Sequence, residues 1–150
     1  MAPKLAVIGG SGLFGIQDLS VVNVLCLKTP YGEPIAAILQ VYLGVVAKLL
    51  FLALHGRGRH IPPHAINYRA NVSALRLAGA THIVTINIVG GISPAMTAGT
   101  WVLPDQVIDY TWGREHSIYD ATSGHTQHVD FTFPFDQTLS SRLTAAAAAQ

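Results

Sequence analysis

The stretch from Leu49 to Val89 constrains the fold most. It opens on "LLFLAL", an apolar run of strand length that carries no charge. A basic, histidine-rich loop follows, "HGRGRHIPPH" (His55 to His64), and after its two prolines the apolar period changes. Ile66, Ala70, Ala74 and Leu77 recur near helical spacing, and Val72 and Leu75 widen the stripe. Pro63 suits a helix start and Gly79 a stop. "THIVTINIV" then reads as a second strand. Strand, helix and strand in this order predict a βαβ unit, and with it a parallel sheet, because parallel neighbours need a long crossover. The chain has 150 residues, half of them apolar and 11% charged, so one domain with a buried core is expected over residues 1–150.

The flanking segments extend this α/β reading. Lys4 to Ile8 is a short strand candidate that runs into a glycine turn, and Val21 to Leu27 is a β-branched second strand. "TPYGEP" (Thr29 to Pro34) is a turn. Ile35 to Leu54 has the length of a membrane span. Gln40, Gly44 and Lys48 oppose that reading, since a lysine inside a spanning helix costs roughly 2.5–3.5 kcal/mol on the insertion scale. Two strands joined near Gly44 are the expectation, and a small membrane protein is the weaker alternative. Cys26, alone in the chain, reads as a buried core thiol in a reducing compartment. "TWVLPDQVIDYT" is strand-like at both ends with Pro104 between. Arg114 to Thr132 is a long polar loop, and "SSRLTAAAAAQ" begins a helix with no apolar stripe. Such an end looks truncated.

The first strand leads into Gly10-x-Gly12-x-x-Gly15, the dinucleotide-binding spacing. That motif demands a crossover helix next, and a second strand ending in an acidic residue about 20 residues on. Only "IQDLS" separates Gly15 from the next strand-like run, and Glu33 falls inside a turn. No dinucleotide is expected. Two readings of the glycines stay open. Backbone N–H groups with the Ser11 hydroxyl can form a nest for a smaller anion such as phosphate, or the glycines only relieve strain in a strand-end turn.

Other chemistries are poorly supported. Net charge is +1 with no basic stripe, against a nucleic-acid surface. His60 and His64 have a metal-ligand spacing, but Pro62 and Pro63 work against a helix there, so no metal is expected. Asp105 and Asp109 read as structural carboxylates, and Arg114-Glu115-His116 as a group that orders its own loop. Trp101 and Trp112 are expected in a core or an interface.

Six stretches occur in one order: "VIGGSGL", "TPYGEP", "HGRGRHIPPHAINYRAN", "INIVGGIS", "VLPDQVIDYTWGREHSIYD" and "HVDFTFPF". Together they resemble the methylthioadenosine and methylthioinosine phosphorylase branch of the trimeric purine nucleoside phosphorylases, from Leu5 to about Phe135. The resemblance implies an α/β fold with a mixed, largely parallel central sheet flanked by helices. It implies a pentosyltransferase that works as a cytoplasmic homotrimer, away from membrane and nucleic acid. In that reaction inorganic phosphate, the co-substrate, attacks the anomeric carbon of a 5′-methylthioribosyl purine and the purine leaves. Organic cofactor and metal are not needed. Positioning and electrostatic stabilisation of an oxocarbenium-like transition state carry such chemistry. The resemblance assigns phosphate binding to Ser11, to the pair Leu54-His55, and to Asn87 and Ile88. It assigns His128 to a 5′-substituent pocket across the trimer interface.

Three departures bear on function. The family has arginine where this chain has Leu54, and arginine grips phosphate with paired charged hydrogen bonds. Arg57 or Arg59 can substitute, or can be solvated loop charges. Ile88 stands where the family prefers a small residue. Family members are also longer, so the purine-binding aspartate is expected beyond Gln150. Loss of that part and of the arginine would give the alternative function, a non-catalytic relative or an inactive fragment.

Overall fold

The computed structural model describes residues 4–10, 12, 16, 18–44, 47–56, 61–119 and 127–149. They form two compact units, residues 1–88 with 113–118 and residues 89–112 with 119–150.

The first unit is a five-stranded sheet with one long helix. In chain order its strands are β1 (Leu5–Gly9), β2 (Leu19–Leu25), β3 (Ile38–Leu43), β4 (Ala47–Ala53) and β5 (His82–Ile86), and the spatial order is β2-β3-β4-β1-β5. β1 is parallel to both β4 and β5, whereas β2, β3 and β4 run antiparallel to one another. The sheet is therefore mixed, as expected. The βαβ crossover spans β4, helix α1 (Tyr68–Leu77) and β5, and it steps over β1, which fills the gap between its two strands. A dinucleotide fold would place β1 and β2 side by side in parallel. Here β2 is an outer strand that pairs only with β3.

Side-chain alternation sorts the core onto two faces. Ala6, Ile8, Leu50 and Leu52 share one face with Ile38, and Ala74 and Leu75 of α1 pack there. Leu39, Val41, Phe51 and Ala53 form the opposite cluster. The segment considered as a membrane span is β3 and β4, turned at Gly44 with φ 61°, a left-handed conformation that favours glycine. Among the described residues no helix is long and apolar enough to cross a membrane.

α1 starts later than Pro63 suggests. Pro63–Ala65 form a single 3-10 turn, and Asn67 is the N-cap, its side chain accepting from the Ala70 N–H at 3.0 Å. The helix ends as expected at Gly79, whose φ is 88°. There the N–H of Ala80 reaches the Leu75 carbonyl and that of Gly79 reaches Arg76, each at 2.9 Å, closing a Schellman motif.

One expectation in this unit is corrected, and another is narrowed. Cys26 is exposed, because it follows β2, the edge strand, whose Val21, Val22 and Val24 are also open to solvent. Trp112, just before the segment that returns to this unit, is 88% exposed, which removes the core from the two expected places and leaves the interface.

The second unit holds helix α2 (Gln137–Ala148), capped by Asp136, whose carboxylate accepts from the Leu139 N–H at 2.6 Å. α2 buries none of its residues, in keeping with its missing apolar stripe. "TWVLPDQVIDYT" forms no strand: Pro104 lacks a donor, and residues 100–111 find no ladder partner among the described residues. Trp101 is 80% exposed, again outside any core.

Candidate active site

Register alone assembles most of the expected site. Gly9 pairs with Ala53 on one side and with Ile86 on the other. The next residues along these three parallel strands are Gly10, Leu54 and Asn87. Adjacent strands lie about 4.8 Å apart, so the three define a rim about 10 Å wide. Carboxyl ends of parallel strands are where open α/β sheets bind ligands. His55 and Ile88 follow immediately, and Ile88 is fully exposed.

A methyl group at Gly10 or Gly12 would meet nothing within 4 Å, and neither residue has positive φ. Packing and backbone strain therefore do not require glycine at either position. Ser11, Gly15, Arg57, Arg59 and His60 lie outside the described residues.

His55 is half-buried, and its Nδ1 lies 3.1 Å from the carbonyl oxygen of Ile61. A carbonyl only accepts, so Nδ1 carries the hydrogen and Nε2 is left for other partners. In the neutral ring Nε2 accepts a proton, and in the imidazolium it donates a charged hydrogen bond. The backbone carbonyl thus fixes the ring's orientation and turns Nε2 toward other partners: the neutral ring accepts there from a protonated phosphate oxygen, and the imidazolium donates to the anion.

Leu54 is oriented differently. Its N–H extends the ladder by donating to the Gly9 carbonyl at 3.0 Å, and its half-buried side chain packs against the Ala6–Ile8–Leu50–Leu52 core cluster. His128, the remaining candidate, is an exposed residue of the second unit.

One cluster escaped sequence reasoning. Arg114, Glu115 and Ile118 reach back to α1 and the turns before it. The Arg114 guanidinium lies over the Tyr68 ring, 4.5 Å from its centroid. Arg69 pairs with Glu115 at 3.4 Å and lies over Tyr31 at 5.3 Å. The Tyr31 hydroxyl donates to the Ile118 carbonyl at 3.0 Å. "GREH" was visible as a polar motif, but nothing in the local pattern pairs it with residues so far upstream.

The family model of the phosphorylase superfamily matches residues 4–150, and the chain belongs to that family. It is 42% identical over 147 residues to a probable S-methyl-5′-thioinosine phosphorylase of Pseudomonas syringae pv. tomato, covering 97% of this chain and 58% of the relative. It is 40% identical to the 6-oxopurine nucleoside phosphorylase of Pyrococcus furiosus, covering 97% and 55%. Among solved structures, the methylthioadenosine phosphorylase of Schistosoma mansoni in complex with adenine superposes with a TM-score of 0.87 at 34% identity, over 98% of this chain and 54% of that one. The chain thus spans little more than half the length of the relatives it matches.

Proposed function

We propose that this chain forms the phosphate-binding part of a purine nucleoside phosphorylase that acts on 5′-methylthioinosine or 5′-methylthioadenosine. Inorganic phosphate sits at the rim made by Gly10, His55, Asn87 and Ile88, and the family resemblance assigns the Ser11 hydroxyl to it as well. A phosphate oxygen bonds to the anomeric carbon while the glycosidic C–N bond breaks. The purine departs with the electron pair and takes up a proton, leaving 5-methylthioribose 1-phosphate. Phosphate is a co-substrate, and neither metal nor organic cofactor takes part. The enzyme works in the cytoplasm as a homotrimer, with His128 lining the 5′-substituent pocket across the interface. The purine-contacting aspartate belongs to the part of the family outside the residues matched here.

The observation that carries this reading is the alignment of Gly10, Leu54-His55 and Asn87 at the carboxyl edge of three adjacent parallel strands. The open space over Gly10 and Gly12 supports it, since it admits an anion close to the backbone. The 6-oxopurine and methylthioinosine phosphorylases among the relatives favour an oxopurine base, and the methylthioadenosine phosphorylases keep the 6-amino base in play.

One observation favours a second reading, a relative that keeps the fold but binds phosphate weakly. Leu54 turns into the core, so its position offers the anion no charge. Incubation of the full chain with each nucleoside separates the two. Purine released only when phosphate is added supports the enzyme. Phosphate-independent release overturns it. Absent turnover, together with absent phosphate binding in a direct titration, establishes the second reading.

A further inference from the structure

Arg114 is distant in sequence from His55, yet a continuous set of contacts joins them. The Arg114 guanidinium covers the Tyr68 ring at 4.5 Å. The Tyr68 hydroxyl donates to the Pro63 carbonyl at 3.3 Å. Pro63 lies in the tight turn that follows Ile61 and is capped by Pro62, where Ala65 N–H reaches Pro62 at 3.0 Å and Ile66 N–H reaches Pro63 at 3.4 Å. Ile61, bonded directly to the turn's cap residue Pro62, presents its carbonyl to Nδ1 of His55 at 3.1 Å.

The turn needs such a brace. Its proline residues fix φ but supply no backbone donors, and the Tyr68 hydroxyl adds a bond to it from the helix that follows. Tyr68 is the first residue of that helix, and a ring held on one side by a cation is worth more when partly desolvated. Arg114 and Tyr68 are both half-buried. The segment bearing Arg114 is itself tied down twice more, by Glu115 to Arg69 and by the Ile118 carbonyl to Tyr31. The cation is therefore presented by an anchored segment.

We infer that Arg114 is a positioning residue for His55: through Tyr68 and the Pro63 turn it holds the Ile61 carbonyl that fixes the ring's orientation and tautomer. It acts on the imidazole, not on phosphate. The inference rests on the proposed function for the ligand of His55, but its structural half can be read without that ligand.

The test uses the full chain labelled with 15N. Ring nitrogen shifts of His55, assigned by comparison with His55→Gln, report the tautomer first without and then with inorganic phosphate. Arg114→Met keeps the aliphatic stem and removes the charge, and Arg114→Lys keeps a cation over the ring. Loss of the Nδ1–H preference in Arg114→Met, its recovery in Arg114→Lys, and a phosphate affinity about two- to thirty-fold weaker in Arg114→Met are expected. An Arg114→Met chain that is only less stable, with tautomer and phosphate affinity unchanged, overturns the inference. A tautomer that responds to Arg114→Met in a chain that binds no phosphate upholds the positioning role and overturns the phosphate reading instead.

Discussion

The backbone N–H of Leu54 donates to the Gly9 carbonyl at 3.0 Å, which carries the β1–β4 ladder one residue beyond the strand. This bond holds Leu54 at the rim while its side chain completes the core. Leu54→Arg therefore has two opposed effects. Loss of apolar burial destabilises by about 1–2 kcal/mol, while the long stem can carry a guanidinium out to the rim. One charged hydrogen bond is worth about 1.5–3 kcal/mol, so phosphate affinity rises about ten- to a hundred-fold. Urea midpoints and phosphate titrations on the same two proteins check both effects. Unchanged affinity would show that this position does not face the anion.

His55 can be dissected by isosteres. In His55→Asn the side-chain amide can still donate to the Ile61 carbonyl, but nothing replaces Nε2. Phosphate affinity is expected to fall about ten- to a hundred-fold, with thermal stability close to that of the parent chain. Calorimetric titration with phosphate and a melting curve give the two readings. Equal affinity in parent and variant removes His55 from the site.

How much of this was legible in the sequence depends on the range over which each signal acts. Strand and helix signals are local, so β3, β4, α1 and β5 were readable from period, from Gly44 and from Gly79. The rim was readable only through motif order, because Gly10, Leu54 and Asn87 are brought together by register across β1. Cys26 was misplaced because an apolar residue in an apolar run says nothing about whether its strand is central or at an edge. "TWVLPDQVIDYT" failed because strand propensity needs a partner strand, and none pairs with it among the described residues. The Arg114–Tyr68 contact has no local signature, since a cation and a ring meet there through tertiary folding.

In the second unit, Gly91 tests packing at a glycine. A Cβ at Gly91 would collide with the Met96 carbonyl oxygen and stand 2.8 Å from the Met96 Cβ, whereas one at Gly90 meets nothing within 4 Å. Gly91→Ala is expected to destabilise this unit by about 1–3 kcal/mol. Gly90→Ala should stay within about 0.5 kcal/mol of the parent. Hydrogen exchange of the amides around Met96, which donates to the Ser93 carbonyl at 2.9 Å, reads the difference locally. Equal exchange in the two variants would refute the close approach.

Asp130 sets a pH dependence whose sign follows from its hydrogen bonds. The Thr132 hydroxyl donates to its carboxylate at 2.6 Å and the Thr132 N–H at 2.9 Å. Both bonds favour the charged form, the hydroxyl more strongly, and they hold Asp130 below its ordinary value of 3.8. A carboxyl with a lowered pKa in the folded chain contributes stability that is complete above the unfolded value. That contribution fades as pH falls through the folded value. Thr132→Val keeps the shape and the N–H bond but removes the hydroxyl. Asp130 should then titrate closer to 3.8, and the acid-side loss of local order should begin at higher pH. Carboxyl 13C shifts followed through the acid range measure both titrations. An Asp130 curve unchanged by Thr132→Val would mean that the hydroxyl bond does not form in solution.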